Sequence, residues 1–211
     1  MSVERFERDN CWHCSLDCGR IAELSAHEVC PEFVSGDELR SVSTIVADPP
    51  WLERGGGRIQ RGADKHYSLL SADASVLVMQ EWMKSYEIAE NAHMYLWVTN
   101  NHLEDGLKVM RDLGFRYITN ICWVKPSFGL GYYFRGQHEL CLFGVRGRGS
   151  QVKTDDNGVS SIVKASKRKH SQKPDEFYDL VERRSAGGYL YMFSRSERVG
   201  WYMEGDEVGV L

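Results

Sequence analysis

The sequence predicts an α/β domain with a mostly parallel central sheet flanked by helices. Three observations carry this. Strand-length runs rich in β-branched and aromatic residues recur along the chain, helix-length segments separate them, and the alternation begins only near residue 41. With 211 residues, 42% of them hydrophobic, the chain suits one compact domain with a small appendage rather than two full domains.

Taken in order, the strand candidates are Ser41–Ala47, Ala92–Val98, Arg116–Val124, Glu139–Val145 and Tyr189–Phe193, chosen for their Val, Ile, Thr and aromatic content. Helix candidates lie at 74–90, 102–113 and 174–185. The last opens with Pro174 as its first residue and carries Asp175 and Glu176 in its first turn, and Gly114 is a stop for the middle one. Long loops at 51–71, 125–137 and 146–171 interrupt the order, and loops of that length in a compact domain are usually functional or disordered. Cys122 and Cys141 fall in apolar strand runs and read as buried core residues.

Charge divides the chain into an acidic cysteine-bearing segment over 1–41 and the α/β domain over 42–211. Residues 1–44 hold nine acids against four Lys and Arg, whereas the remainder holds 21 acids against 22, so the net charge of -4 belongs to the N-terminal segment. No apolar run is long enough to cross a bilayer, and the polar start MSVERFERDN is unlike a secretory signal, so the expected location is cytoplasmic, without a membrane.

The most specific motif is Asp48-Pro49-Pro50-Trp51 at the end of the first strand, where ligands bind in open α/β sheets. On its own a D-P-P turn merely ends a strand, because prolines forbid both helix and ladder. The Trp directly after it points further, to amino-group methylation of a planar base. An exocyclic adenine amine is a poor nucleophile because its lone pair is delocalised into the ring. Asp48 can accept one amine hydrogen and the Pro49 carbonyl the other, which favours a pyramidal nitrogen and draws off developing positive charge. Trp51 offers a flat face for an extruded or single-stranded base.

Over residues 42–209 the chain resembles the MT-A70 family of S-adenosylmethionine-dependent adenine-N6 methyltransferases, especially its small bacterial and phage members. The resemblance runs through A-D-P-P-W, R-G-A-D-K-H-Y, Y-L-W-V-T-N-N, W-V-K-P, F-R-G-Q-H-E-L-C-L-F-G-V-R-G, H-S-Q-K-P-D-E and G-D-E-V. It implies a Rossmann-like class I methyltransferase with permuted motif order, in which the cofactor site follows the last strand. That agrees with the absence of a G-x-G-x-x-G after the first strand.

The resemblance assigns catalysis to Asp48, Pro49, Pro50 and Trp51, and places Asp48 against both the target amine and the cofactor's methionine amine. It places Tyr67, beside His66, on a loop that closes over substrate, Glu139 at the adenosine-recognition position and Lys173 in the cofactor and substrate pocket. Cofactor contacts are expected from Lys173, Arg195, Glu197, Arg198, Asp206 and Glu207, with Asp206 standing where the family usually has Asn. Trp97, Asn100, Trp123 and Lys125 lie at strand ends; Lys125 is a candidate substrate contact, and the aromatics read alternatively as core. Two basic loops, one with Arg54, Arg58, Arg61 and Lys65 and the other with Lys164, Lys167, Arg168 and Lys169, suggest a groove for phosphates.

Cys11, Cys14, Cys18, His27 and Cys30 offer a possible structural zinc site, with reduced thiols as the alternative. The expectation is therefore an adenine-N6 methyltransferase using S-adenosylmethionine on nucleic acid, DNA rather than RNA, in a bacterial or phage-infected cell. An RNA enzyme and a non-catalytic nucleic-acid-binding subunit of the same fold are the rivals, and an oligomer is possible.

Overall fold

A computed structural model describes residues 39–52, 69–129, 133–168, 172–195 and 197–205, all within one unit, Leu39–Leu211. The strands are β1 (Arg40–Ala47), β2 (Tyr86–Val98), β3 (Arg116–Val124), β4 (His138–Arg146), β5 (Ile162–Lys164), β6 (Tyr189–Met192) and β7 (Trp201–Glu204). The helices are α1 (Ala72–Met83), α2 (Leu103–Asp112) and α3 (Asp175–Arg184).

The seven strands form one mixed sheet in the order β5-β3-β4-β2-β1-β6-β7. The pairs β1–β2, β1–β6, β6–β7 and β3–β5 are parallel, and β4 runs antiparallel to both its neighbours, β2 and β3. The sheet is thus parallel but for β4, which returns from β3 through the loop at 125–137.

Alternation along the central strands builds two cores. Met94, Leu96 and Val98 of β2 join Val42, Ile45 and Ala47 of β1 in one cluster with Val76 and Met79 of α1 and Val109 and Met110 of α2. Tyr95 and Trp97 point the other way, with Val46 and Tyr191, into a cluster with Phe177, Leu180 and Val181 of α3. Because helices cover both faces, the carboxyl ends of β1 and β2, Ile45–Ala47 and Met94–Val98, read as unbroken apolar runs rather than alternating ones. Each fully buried Leu, Met or Phe here is worth about 1.5–3 kcal/mol relative to exposure.

Local chemistry sets the helix ends. Ser71 caps α1, its hydroxyl accepting from the Ala74 N–H at 3.2 Å. Helix α2 closes in a Schellman motif: Gly114, at φ 81°, donates to the Arg111 carbonyl and Phe115 to the Met110 carbonyl, each at 2.9 Å. Met110 and Phe115 are both buried in the first core, supplying the hydrophobic contact that accompanies this cap.

Three expectations are corrected. The first helix ends at Met83, not residue 90, because Tyr86–Ile88 pair with Arg40–Val42 and sheet pairing overrides their helix propensity. Strands β5 and β7 were absent from the sequence reading; at three and four residues they are specified by their partners, not by a pattern of their own. Cys141 is buried as expected, but Cys122 is only partly so.

Candidate active site

Asp48 directly follows β1, between the ends of its two parallel neighbours. The Asp48 N–H donates to the Met192 carbonyl of β6 at 3.2 Å, and Ala47 pairs with both Leu96 and Met192. From β1 the chain proceeds to β2 on one side, and from β6 to β7 on the other, so β1 and β6 flank a topological switch point. Ligand crevices open there, beyond the carboxyl ends of the strands.

The motif after Asp48 is pinned by its own backbone. Leu70 donates to the Pro50 carbonyl at 2.8 Å, and Leu52 donates to the Leu70 carbonyl at 3.0 Å, forming a parallel bridge between Trp51 and Leu70. That occupies the Pro50 carbonyl. The Pro49 carbonyl receives no hydrogen bond from any described residue and remains the motif's available acceptor.

Trp51 serves this turn from below. Its side chain is only 8% exposed, its Nε1–H donates to the Trp97 carbonyl at 2.9 Å, and its ring lies 5.6 Å from His102. The open stacking face expected of Trp51 is therefore closed by the core, and the residue anchors the D-P-P turn instead.

His102 was missed by sequence reasoning. Buried in the short 3₁₀ turn Asn100–His102 after β2, it contacts the Leu52 carbonyl through Nε2 at 2.6 Å. A carbonyl only accepts, so Nε2 carries the proton. A lone His in N-N-H-L offers no spacing signal, although its position just after a strand end beside the quoted T-N-N was the available hint.

Asp48 is held in a chain of charge. Lys173 Nζ sits 2.9 Å from Asp48 Oδ1 and 3.4 Å from Glu139 Oε2, and Glu139 Oε1 takes a hydrogen bond from Lys125. Arg195 Nη1 stands 3.7 Å from Asp48 Oδ2, an oxygen that is fully buried and accepts no hydrogen bond from the described residues. Lys173 is also 5.0 Å from the Trp97 ring centroid and Lys125 4.5 Å from that of Trp123, so the expected strand-end aromatics are core walls that carry cations on their faces.

Burial works against the charge of Lys173, yet Asp48 and Glu139 outweigh it and hold the ammonium's pKa above its ordinary value. Burial likewise pushes Glu139 up, and Lys173 with Lys125 more than reverses this, leaving its carboxyl below the usual range. Among the described residues, two carboxylates and three cations meet here.

The structure thus gathers Asp48, Pro49, Pro50, Lys125, Glu139, Lys173 and Arg195 at one end of the sheet. Arg198 is not among them: its guanidinium binds Glu182 through two nitrogens, both at 2.8 Å, and Asp179 at 2.7 Å, fastening the β6–β7 connection to α3. Glu197 and Lys167 are exposed, Arg168 pairs with Asp175 at the start of α3, and Asn100 is exposed in its 3₁₀ turn. Arg54, Arg58, Arg61, Lys65, His66, Tyr67, Lys169, Asp206 and Glu207 lie outside the described residues, as do Cys11, Cys14, Cys18, His27 and Cys30. Among the described residues no three metal-ligating side chains converge.

Gly187-Gly188 has a local purpose. Gly188, at φ 77°, has a carbonyl that accepts from Ser43 and Thr44, and a Cβ there would meet the Ser41 carbonyl at 2.7 Å, so glycine lets β6 start against β1.

The chain is 25% identical over 182 residues to the human N(6)-adenosine-methyltransferase catalytic subunit METTL3, covering 81% of this chain and 29% of that protein. It is 24% identical over 183 residues to an Arabidopsis thaliana N(6)-adenosine-methyltransferase MT-A70-like, covering 82% and 24%, and 24% identical over 188 residues to a Drosophila melanogaster MT-A70-like protein, covering 83% and 28%. The chain therefore spans only about a quarter of the length of these curated relatives. The MT-A70 family model matches residues 42–207, every described site residue lies within that span, and the chain belongs to the MT-A70 family.

Proposed function

We propose that this protein transfers a methyl group from S-adenosylmethionine to the exocyclic N6 amine of adenine in nucleic acid. The observation that carries the reading is the Asp48 carboxylate: buried at the switch point and paired with Lys173, with one oxygen lacking a hydrogen bond from the described residues, next to an available Pro49 carbonyl. The strand order supports a class I arrangement with permuted motifs, since β6, the strand that would precede the cofactor site, follows the catalytic β1 in the chain yet lies beside it.

The residues present suit S-adenosylmethionine. Its methionine ammonium suits the Asp48 carboxylate, and its carboxylate suits the neighbouring cations Lys173 and Arg195. When bound, the cofactor supplies a methyl group on a sulfonium centre, an electrophile needing no metal.

Asp48 and the Pro49 carbonyl each accept a hydrogen of the target amine, which localises the nitrogen lone pair and stabilises positive charge as it develops. Proline rigidity at Pro49 and Pro50, the Leu70 bridge and the Trp51 anchor fix both acceptors before substrate arrives, so little reorganisation is needed. Lys173 holds the Asp48 carboxylate in place while sharing its charge with Glu139.

DNA was the expected substrate from sequence, but the relatives' names specify adenosine, which favours RNA. The test is nucleoside mass spectrometry after incubation with single-stranded DNA and RNA of matched sequence. N6-methylated product is expected with the wild type, and Asp48→Asn should lower the rate at least about 100-fold. Full activity in Asp48→Asn would refute the mechanism.

A further inference from the structure

Most large apolar side chains of the domain lie in its two cores, but the loop between β3 and β4 exposes three aromatics together. Phe128, Tyr133 and Phe134 are 71%, 95% and 88% exposed. Exposed apolar groups clustered at one place mark a contact surface, and here they are aromatic instead of aliphatic. Arg135 follows directly and is exposed as well.

The roots of the loop place it beside the charge cluster. Lys125 and Glu139, which pair with each other, stand at its two ends. Lys125 donates its backbone N–H to the Gln137 carbonyl at 2.8 Å, and Gly129 donates to the Gly136 carbonyl at 2.6 Å, so the loop continues as a narrow ladder out from β3 and β4. Gly129 suits that close approach, since a Cβ there would meet the Gly136 carbonyl oxygen at 2.9 Å.

A basic segment leaves the sheet at the same corner. Strand β5 pairs with β3 so that Lys164 lies opposite Val124, Ala165 donates to the Val124 carbonyl at 3.3 Å, and the Trp123 indole donates to the Ala165 carbonyl at 2.9 Å. Lys164, Lys167 and Arg168 therefore emerge next to the start of the aromatic loop, all exposed, with Arg168 partly neutralised by Asp175.

We propose that Phe128, Tyr133 and Phe134 form a stacking platform for the nucleotides flanking the target adenine, with Arg135, Lys164 and Lys167 taking their phosphates. This rests on the nucleic-acid reading above and adds a binding surface to it. Stacked bases bury flat apolar faces on the rings while the backbone meets cations, the pairing of groups that unpaired nucleic acid requires. A protein partner would not call for the adjoining basic segment, and a membrane surface would favour aliphatic residues beside the lysines.

The experiment uses the full chain and labelled single-stranded oligonucleotides of about fifteen nucleotides, as DNA and as RNA, read by fluorescence anisotropy across a salt series. The variant Phe128→Ala/Tyr133→Ala/Phe134→Ala should bind at least about tenfold more weakly than wild type, with an unchanged slope of log Kd against log salt. Lys164→Ala/Lys167→Ala should instead flatten that slope by about 1.5. Phe128→Trp/Phe134→Trp, which keeps flat rings, should retain affinity, so simple loss of fold is separated from loss of stacking. In methyl-transfer assays, the KM advantage of the long oligonucleotide over a trinucleotide should collapse in the alanine variant.

Unchanged affinity in the folded alanine variant of a chain whose wild type binds and methylates the oligonucleotide would overturn the platform alone. A wild type that neither binds nor methylates either oligonucleotide would sink the functional reading and the platform with it. A wild-type dimer that the alanine variant converts to monomer would assign the aromatics to self-association and refute the proposal.

Discussion

Lys173 is the side chain on which the site's charges balance. Its ammonium is almost fully buried between Asp48 and Glu139, and removing one member of a buried ion network strands the others. Lys173→Met should therefore destabilise the protein by about 3 kcal/mol, a drop of about 10 °C in Tm, visible by calorimetry. A second buried residue makes a pH prediction. His93 Nε2–H donates to the Gly149 carbonyl at 2.8 Å, so its Nδ1 accepts from Ser185 Oγ at 2.7 Å, and Ser185 in turn accepts from Tyr95. Burial holds the His93 pKa below its ordinary 6.5. The unfolded chain then takes up a proton that the folded one resists, so this contribution to stability is present above about pH 6.5 and is lost as pH falls below it. Thermal unfolding at pH 7.5 and 5.5 should show the loss, and His93→Gln should lessen it. Of the residues gathered at the sheet end, Asp48 was legible because its motif follows a strand end, and Lys173 through the H-S-Q-K-P-D-E resemblance. Arg198 was not, because a pairing with Glu182 sixteen positions earlier leaves no mark on the spacing. Trp51 misled for a related reason: sequence shows a ring, and only packing shows which face is free.

Among the elements, the end of α2 offers the cleanest test. A Cβ at Gly114 would meet nothing within 4 Å, so the only cost of Gly114→Ala is the left-handed φ of 81°. The loss should be about 1 kcal/mol, measured by urea unfolding with an unchanged m-value. Gly106, in the same helix, makes the contrast, since a Cβ there would clash with the Val98 side chain on β2 and Gly106→Ala should cost about 1–3 kcal/mol by overpacking. Gly114 was readable as a stop because the Schellman cap is local chemistry. Strand β3 was legible over its whole length for the same reason, its β-branched and aromatic run being self-contained. The length of α1 was not: whether Tyr86-Glu87-Ile88 extends a helix or joins a sheet is decided by Arg40–Val42, far away in the chain.

At the scale of the whole molecule, the single antiparallel strand sets the layout. By returning beside β2, β4 brings Glu139 back to the end of the sheet where Asp48 lies, so residues 91 positions apart share Lys173. If S-adenosylmethionine occupies this crevice, saturating it at a hundredfold over Kd should stabilise the fold by about 2.7 kcal/mol, and differential scanning fluorimetry would show the rise in Tm. The α/β class and its alternating order were visible from composition and pattern, whereas β4's direction was not, because strand direction is written in the pairing partner. The Trp51–Leu70 bridge has a different kind of consequence. It joins the chain on either side of the sixteen-residue segment 53–68, so the D-P-P turn is braced by backbone bonds of Pro50, Leu52 and Leu70 alone. Doubling such a segment costs only about 0.6 kcal/mol in closure entropy. The chain between Leu52 and Leu70 can thus lengthen or shorten at small entropic expense while the turn that carries Asp48 keeps its brace.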